Sequence, residues 1–126
     1  MSHTITYNSE SHVIEIKVQG EETVDEIREI TSEIAQIAVA KNCFLSLTDL
    51  REAKLNLSTV EIYELPKIIS NMLASAGLNV HGFKRALVVA KDLENFRFFE
   101  TVTSNRSQNA RLFQDIDEAK KWLSEK

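Results

Sequence analysis

The chain has 126 residues, the usual size of one domain. A hydrophobic share of 43% and a charged share of 27%, with only three Gly and one Pro, exclude disordered and low-complexity classes. The balance is acidic, 19 Asp+Glu against 15 Lys+Arg, so the counterion release that drives nucleic-acid binding is missing and no nucleic-acid partner is expected.

Thr4-Ile5-Thr6-Tyr7 alternates as a strand does, and Asn8-Ser9-Glu10-Ser11 is polar and turn-forming. Val13, Ile14, Ile16 and Val18 then make a second, β-branched strand that Gly20 ends, so the two strands read as an antiparallel hairpin. Thr23-Val24-Asp25-Glu26 has the form of a capping box, a hydroxyl cap with Glu three residues on. Behind it Val24, Ile27, Ile30, Ile34, Ile37 and Ala38 recur at helical spacing and predict an amphipathic helix of about 17 residues, closed by Asn42.

Cys43 to Thr48 reads as a strand, with Asp49-Leu50-Arg51 at its C-terminal end. Ser58-Thr59-Val60-Glu61 is a second capping box, followed by the apolar stripe Ile62, Leu65, Ile69, Met72, Leu73 and Ala76. Pro66 falls inside that stripe and predicts a kink or break near Tyr63 to Leu65. Gly77 is placed just past the helix. Ala86-Leu87-Val88-Val89-Ala90 is continuously apolar, the mark of a strand covered on both faces. Phe96, Phe99 and Val102 predict a third helix, and Leu112-Phe113 a short strand. Asp115-Ile116-Asp117-Glu118 caps a last helix with Ile116, Ala119, Trp122 and Leu123 on one face.

The expected order is ββαβαβαβα in one domain over residues 1–126. It describes an α/β fold: a five-stranded, mixed, mainly parallel sheet with an N-terminal hairpin and four helices, because parallel neighbours need crossover connections.

Two features carry a family resemblance. One is the strand ending in Asp49-Leu50-Arg51 ahead of a helix opening at Ser58-Thr59. The other is the closing run from Arg111-Leu112-Phe113 through Asp115 and Glu118-Ala119 to Trp122-Leu123. With this element order the chain resembles the SpoIIAA-like branch of the STAS superfamily, the anti-sigma-factor antagonists and sulfate-transporter domains. The resemblance implies a regulatory domain that docks protein partners, in which a serine opening the second helix is phosphorylated. The family run is Asp-Ser-Ser/Thr-Gly. Here Leu57-Ser58-Thr59-Val60 keeps the hydroxyls and replaces the acid with Leu57 and the glycine with Val60. Ser58 and Thr59 are thus candidates for a phosphoswitch, and helix capping is the favoured role.

Asp49 and Arg51 are candidates for a ligand or anion contact, since open α/β sheets bind ligands beyond the carboxyl ends of their strands. A loop-organising Asp49 paired with Arg51 is the plainer expectation. Tyr63, Met72 and Phe98 are candidates for an apolar groove. His3, His12 and His81, placed near the N-terminus, in a strand and in a loop, show no metal-ligand spacing, and Cys43 has no second cysteine, so neither metal nor cofactor is expected. A lone cysteine, no leader-like N-terminus and no apolar run near the ~20 residues of a membrane span point to a cytoplasmic chain. The leading functional expectation is a non-enzymatic regulatory or protein-interaction module, with a protein partner or a homodimer. The alternative is a carrier or sensor of a small apolar ligand such as a lipid. An enzyme built on Asp49, Arg51 or His81 ranks last.

Overall fold

A computed structural model describes residues 2–90, 101 and 109–125. Its strands are β1 (Ser2–Asn8), β2 (Val13–Glu22), β3 (Leu45–Leu55), β4 (Lys84–Val88) and β5 (Asn109–Phe113). They form one five-stranded sheet in the order β1-β2-β3-β4-β5. β1 pairs antiparallel with β2, and every other pairing is parallel. The described α-helices are α1 (Val24–Lys41), α2 (Thr59–Ser75) and α3 (Ile116–Ser124), with a 3-10 turn at Val80–Gly82. Four helices were expected from the sequence and three are described; the one predicted around Phe96, Phe99 and Val102 lies outside the described residues.

Local chemistry sets the boundaries. In the first turn Asn8 Oδ1 accepts from the Glu10 and Ser11 N–H groups at 3.0 and 3.2 Å. His12, expected in a strand, instead takes a left-handed φ of 57° in that turn, and β2 starts at Val13. Both capping boxes close: Ser58 Oγ accepts the Glu61 N–H at 3.2 Å while Glu61 accepts the Ser58 N–H at 2.8 Å. Thr23 and Glu26 do the same at 3.5 and 3.3 Å. Asn42 ends α1 in the left-handed region (φ 50°), a conformation its short polar side chain tolerates.

Of the kink or break expected near Tyr63 to Leu65 the break does not occur, and two strands differ from expectation in length, both for a tertiary reason. α2 is not broken at Pro66 but continues from Thr59 to Ser75. Pro66 is buried in a stripe with Ile62, Leu65, Ile69 and Leu73, and each such aliphatic side chain contributes roughly 1.5–3 kcal/mol on burial, enough together to offset the ~3 kcal/mol proline penalty. β2 and β3 also run further than expected, to Glu22 and Leu55, so Asp49 and Arg51 stand inside β3 rather than at its carboxyl end. Between Lys17 and Gln19 β2 advances two residues while β3 advances three, from Asp49 to Glu52. The extra residue is a bulge that inverts the side-chain alternation. Leu50 before it, and Ala53 and Leu55 after it, therefore join the same core.

The sheet has helices on both faces. Ile14, Ile16 and Val18 pack in one cluster with α1 and α2 residues such as Ile30, Ala38, Ile62 and Leu65. On the opposite face Val13, Leu47, Ala86 and Val88 pack with Ala119 and Leu123 of α3. Lys84 donates to the Trp122 carbonyl, and its ammonium lies 4.4 Å from the Trp122 ring centroid, which ties the end of α3 to β4.

Candidate functional site

The residues singled out in the sequence lie in separate places. Ser58 and Thr59 are exposed at the start of α2, with the Ser58 hydroxyl engaged in the cap. Val60 (70% exposed) and Tyr63 (52%) follow one helical step apart, so the opening of α2 presents apolar surface to solvent. Met72 lies elsewhere, in an open groove between α1 and α2 with Ala35, Gln36, Val39 and Ala76. Phe98 lies outside the described residues.

Asp49 and Arg51 bind each other. Arg51 Nε and Nη2 donate to the two carboxylate oxygens at 2.9 and 2.8 Å, and the Arg51 backbone N–H adds a third bond at 3.1 Å. The side-chain hydrogen bond from Arg51 holds the Asp49 carboxyl below its ordinary value against the opposing effect of burial. The fork of Arg51 that would grip an external anion is thereby turned onto Asp49. Lys17 and Glu52 add an exposed ion pair beside it at 3.1 Å.

His3 and His12 serve the scaffold. His3 pairs with Glu33, joining β1 to α1. The Tyr7 hydroxyl lies 2.5 Å from His12 Nδ1, and His12 Nε2 lies 3.2 Å from the Asn42 carbonyl. The tautomer inferred from these partners carries its proton on Nε2, which donates to Asn42 while Nδ1 accepts from Tyr7. Cys43 is buried, its thiol donating to the His12 carbonyl at 3.2 Å. Among the described residues no three His, Cys, Asp or Glu side chains are grouped to hold a metal ion, and no helix is long and apolar enough to cross a membrane.

The most developed site is a cavity of about 100 Å³ between the sheet and the α1–α2 layer. α1 supplies Ile27, Ile30 and Ile34, and α2 supplies Leu65, Ile69 and Leu73. The sheet side adds Leu50, Leu55 and Leu87, with Phe83 between the 3-10 turn and β4. Neither Tyr63 nor Met72 walls it. Set in this apolar lining are the hydroxyls of Thr31, Ser46 and Thr48 and two ionisable side chains, Glu22 and Arg85. Thr31 is committed, donating to the Ile27 carbonyl at 2.7 Å.

Glu22 is 5% exposed. Burial, then the nearby Glu26 charge, push its carboxyl up to about 7, with His3 pulling the other way. Near neutrality Glu22 is thus divided between its charged and neutral forms. Arg85 is half-buried and is one of the residues that line the cavity. Burial pushes its guanidinium down to about 10, so it remains a cation at neutral pH. Sequence reading passed over both residues. A usable signal was present: Glu22 continues the period of Ile14, Ile16 and Val18, and Arg85 that of Leu87 and Val89. A charged residue on the apolar phase of a strand is the mark of a buried ionisable group.

No protein-family model matches the chain, and no curated protein matches it. Solved structures do. An anti-sigma factor antagonist from Mycobacterium paratuberculosis aligns with a TM-score of 0.57 at 16% identity, over 98% of this chain and 96% of that one. An uncharacterized protein of the DUF3478 family with a SpoIIAA-like fold, from Shewanella loihica PV-4, aligns with a TM-score of 0.57 at 20% identity, over 97% and 92% of the two chains. With a mixed sheet, an N-terminal hairpin and this strand order, the chain has the SpoIIAA-like fold of the STAS domains.

Proposed function

We propose that this chain is a non-enzymatic, cytoplasmic regulatory domain that carries or senses a small, largely apolar ligand. The observation behind this reading is the cavity between the sheet and the α1–α2 layer, whose lining is predominantly aliphatic. A ligand there would touch both helices and the sheet at once, so occupancy would be felt at α2, where the apolar surface of Val60 and Tyr63 faces out. The test is native mass spectrometry of protein purified without stripping, together with thermal shifts against a panel of apolar compounds and lipids. An adduct or a concentration-dependent rise in Tm supports the reading. Empty protein with no shift across the panel overturns it.

A second reading concerns the output. The exposed Val60–Tyr63 pair beside Ser58 is the surface on which a protein partner, or a second copy of the chain, would dock. The likeness to an anti-sigma factor antagonist supports it. Ser58 and Thr59, exposed at the same place, are where a phosphate would switch that docking, adding about two negative charges to an apolar patch. Val60→Asp with Tyr63→Asp should abolish partner capture and self-association while leaving the circular dichroism unchanged. Undiminished association in that double variant sinks the docking surface.

A further inference from the structure

We propose that the cavity between the sheet and α1–α2 selects a small primary amine, its short apolar body among the aliphatic walls and its ammonium against the Glu22 carboxylate. This rests on the ligand reading above and specifies the chemical class.

Three observations carry it. The first is a carboxyl in want of a donor. Glu22 is 5% exposed and lines the cavity with aliphatic side chains such as Ile27, Ile30 and Leu55. Burial, Glu26 and His3 act on its carboxyl, and among the described residues no hydrogen bond does. A buried carboxylate without a donor is costly, and a charge-assisted bond from an ammonium offsets that cost. The second is the sign of the nearby charge. Glu26, whose carboxylate accepts the Thr23 N–H, adds a second negative charge, and His3 is already paired with Glu33. Arg85 stands apart: its register partner on β3 is Ser46, whereas that of Glu22 is Leu55, and Arg85 is not among the charges that act on Glu22. The Glu22 end of the cavity therefore favours a cation over a neutral hydroxyl and rejects an anion. The third is size. A cavity of about 100 Å³ is smaller than the ~150 Å³ space that accommodates benzene in an engineered core, which favours a short chain over a full-length lipid.

The test uses the intact chain and three probes of matched length: butylamine, butan-1-ol and butyrate. NMR titration at pH 8, where Glu22 is mostly charged and an alkylamine is still an ammonium, should show butylamine binding about tenfold more tightly than either of the others, the factor that one charge-assisted hydrogen bond supplies. Glu22→Gln keeps the shape and removes the charge, and should bring butylamine down to the level of butanol. A readout on the unmodified chain covers the case in which that variant does not fold. Protonating Glu22 removes the counter-charge, so butylamine should bind at least about fivefold more weakly at pH 5.5 than at pH 8, while butanol does not weaken. Butanol binding as tightly as butylamine, an amine preference that survives Glu22→Gln, or an amine affinity indifferent to pH overturns the amine and leaves the apolar-ligand reading standing. No binding by any of the three overturns the amine, and an equally silent panel of apolar compounds overturns the ligand reading with it.

Discussion

The two faces of the sheet are packed to different standards. Under α3 small and large side chains mix, Ala86, Val88 and Ala119 with no exposure at all beside Leu47 and Leu123 at 3%, with Phe113, Ile116 and Trp122 packed against them. Under α1 and α2 the side chains are larger, yet they leave about 100 Å³ between them and admit a carboxyl and a guanidinium. Both faces are built from the same strands by the same alternation, so strand propensity does not distinguish them. The difference lies in what covers each face. One helix lies on Val13, Leu47, Ala86 and Val88 through Ala119 and Leu123, and leaves a groove beside Leu123 that Asn8, Ser11, Glu15 and Lys120 also line. Two helices with long aliphatic side chains span a wider, bulged stretch of sheet and do not close it. The groove under α3 is thus rimmed by polar and charged side chains, and the predominantly aliphatic space in which an apolar ligand has room lies under α1 and α2.

That contrast yields graded expectations. Truncation should hurt more at Leu123, which is buried under α3, than at half-buried Ile27 beside the cavity. Leu123→Ala should cost roughly 2–5 kcal/mol, read by urea titration, because it removes a side chain only 3% exposed that packs in one cluster with Val13, Leu47, Ala86 and Val88. Ile27→Ala, beside existing space, should cost less than about 2 kcal/mol. Equal losses would mean that the faces are equally tight.

The next effect is electrostatic and confined to the open face. Glu22 titrates at 4.5 when unfolded and at about 7 when folded. Below the lower value both states are protonated and nothing is lost. Between the two the folded chain keeps a proton that the unfolded chain has released, so stability falls as pH rises. Above the folded value the full cost applies, on the order of 3 kcal/mol. Glu22→Gln should therefore gain about that much at pH 8 and almost nothing near pH 4, by denaturant melts at the two values. A pH-independent effect would place the carboxyl in solvent.

Overpacking supplies a smaller, opposite test. Ala119→Leu should cost ~1–3 kcal/mol by lifting α3, while Leu87→Phe should stay within about 1 kcal/mol by growing into the cavity. Smallest is the cap at the start of α2: Ser58→Ala should cost ~1 kcal/mol, and Ser58→Asp should largely restore it, because a carboxylate caps as well as a hydroxyl. Losses in both would show that something other than the Glu61 N–H depends on Ser58.

The sites were legible in the sequence to very different degrees. The capped start of α2 could be read from four residues, Ser58 to Glu61, because a cap is a local hydrogen-bond arrangement. The Asp49–Arg51 pair was likewise local, two residues apart on one strand. The cavity was not legible, since its walls come from α1, α2 and the sheet. Its two charged residues were hidden by boundary errors, with β2 read as ending at Gly20 and β4 as starting at Ala86, so that Glu22 and Arg85 fell just outside.

By itself the sequence determined the class of fold, the hairpin, the capped helix starts and which stripe of each helix is apolar. These depend on side-chain period and on hydrogen bonds within a few residues. Tertiary structure decided the rest. It carried α2 through Pro66, because a buried stripe outweighs one lost backbone bond. It extended β3 to Leu55, because β2 offers ladder partners and a bulge resets the phase. It brought Glu22 and Arg85 into one cavity, because parallel strands distant in sequence present the same face to the same two helices.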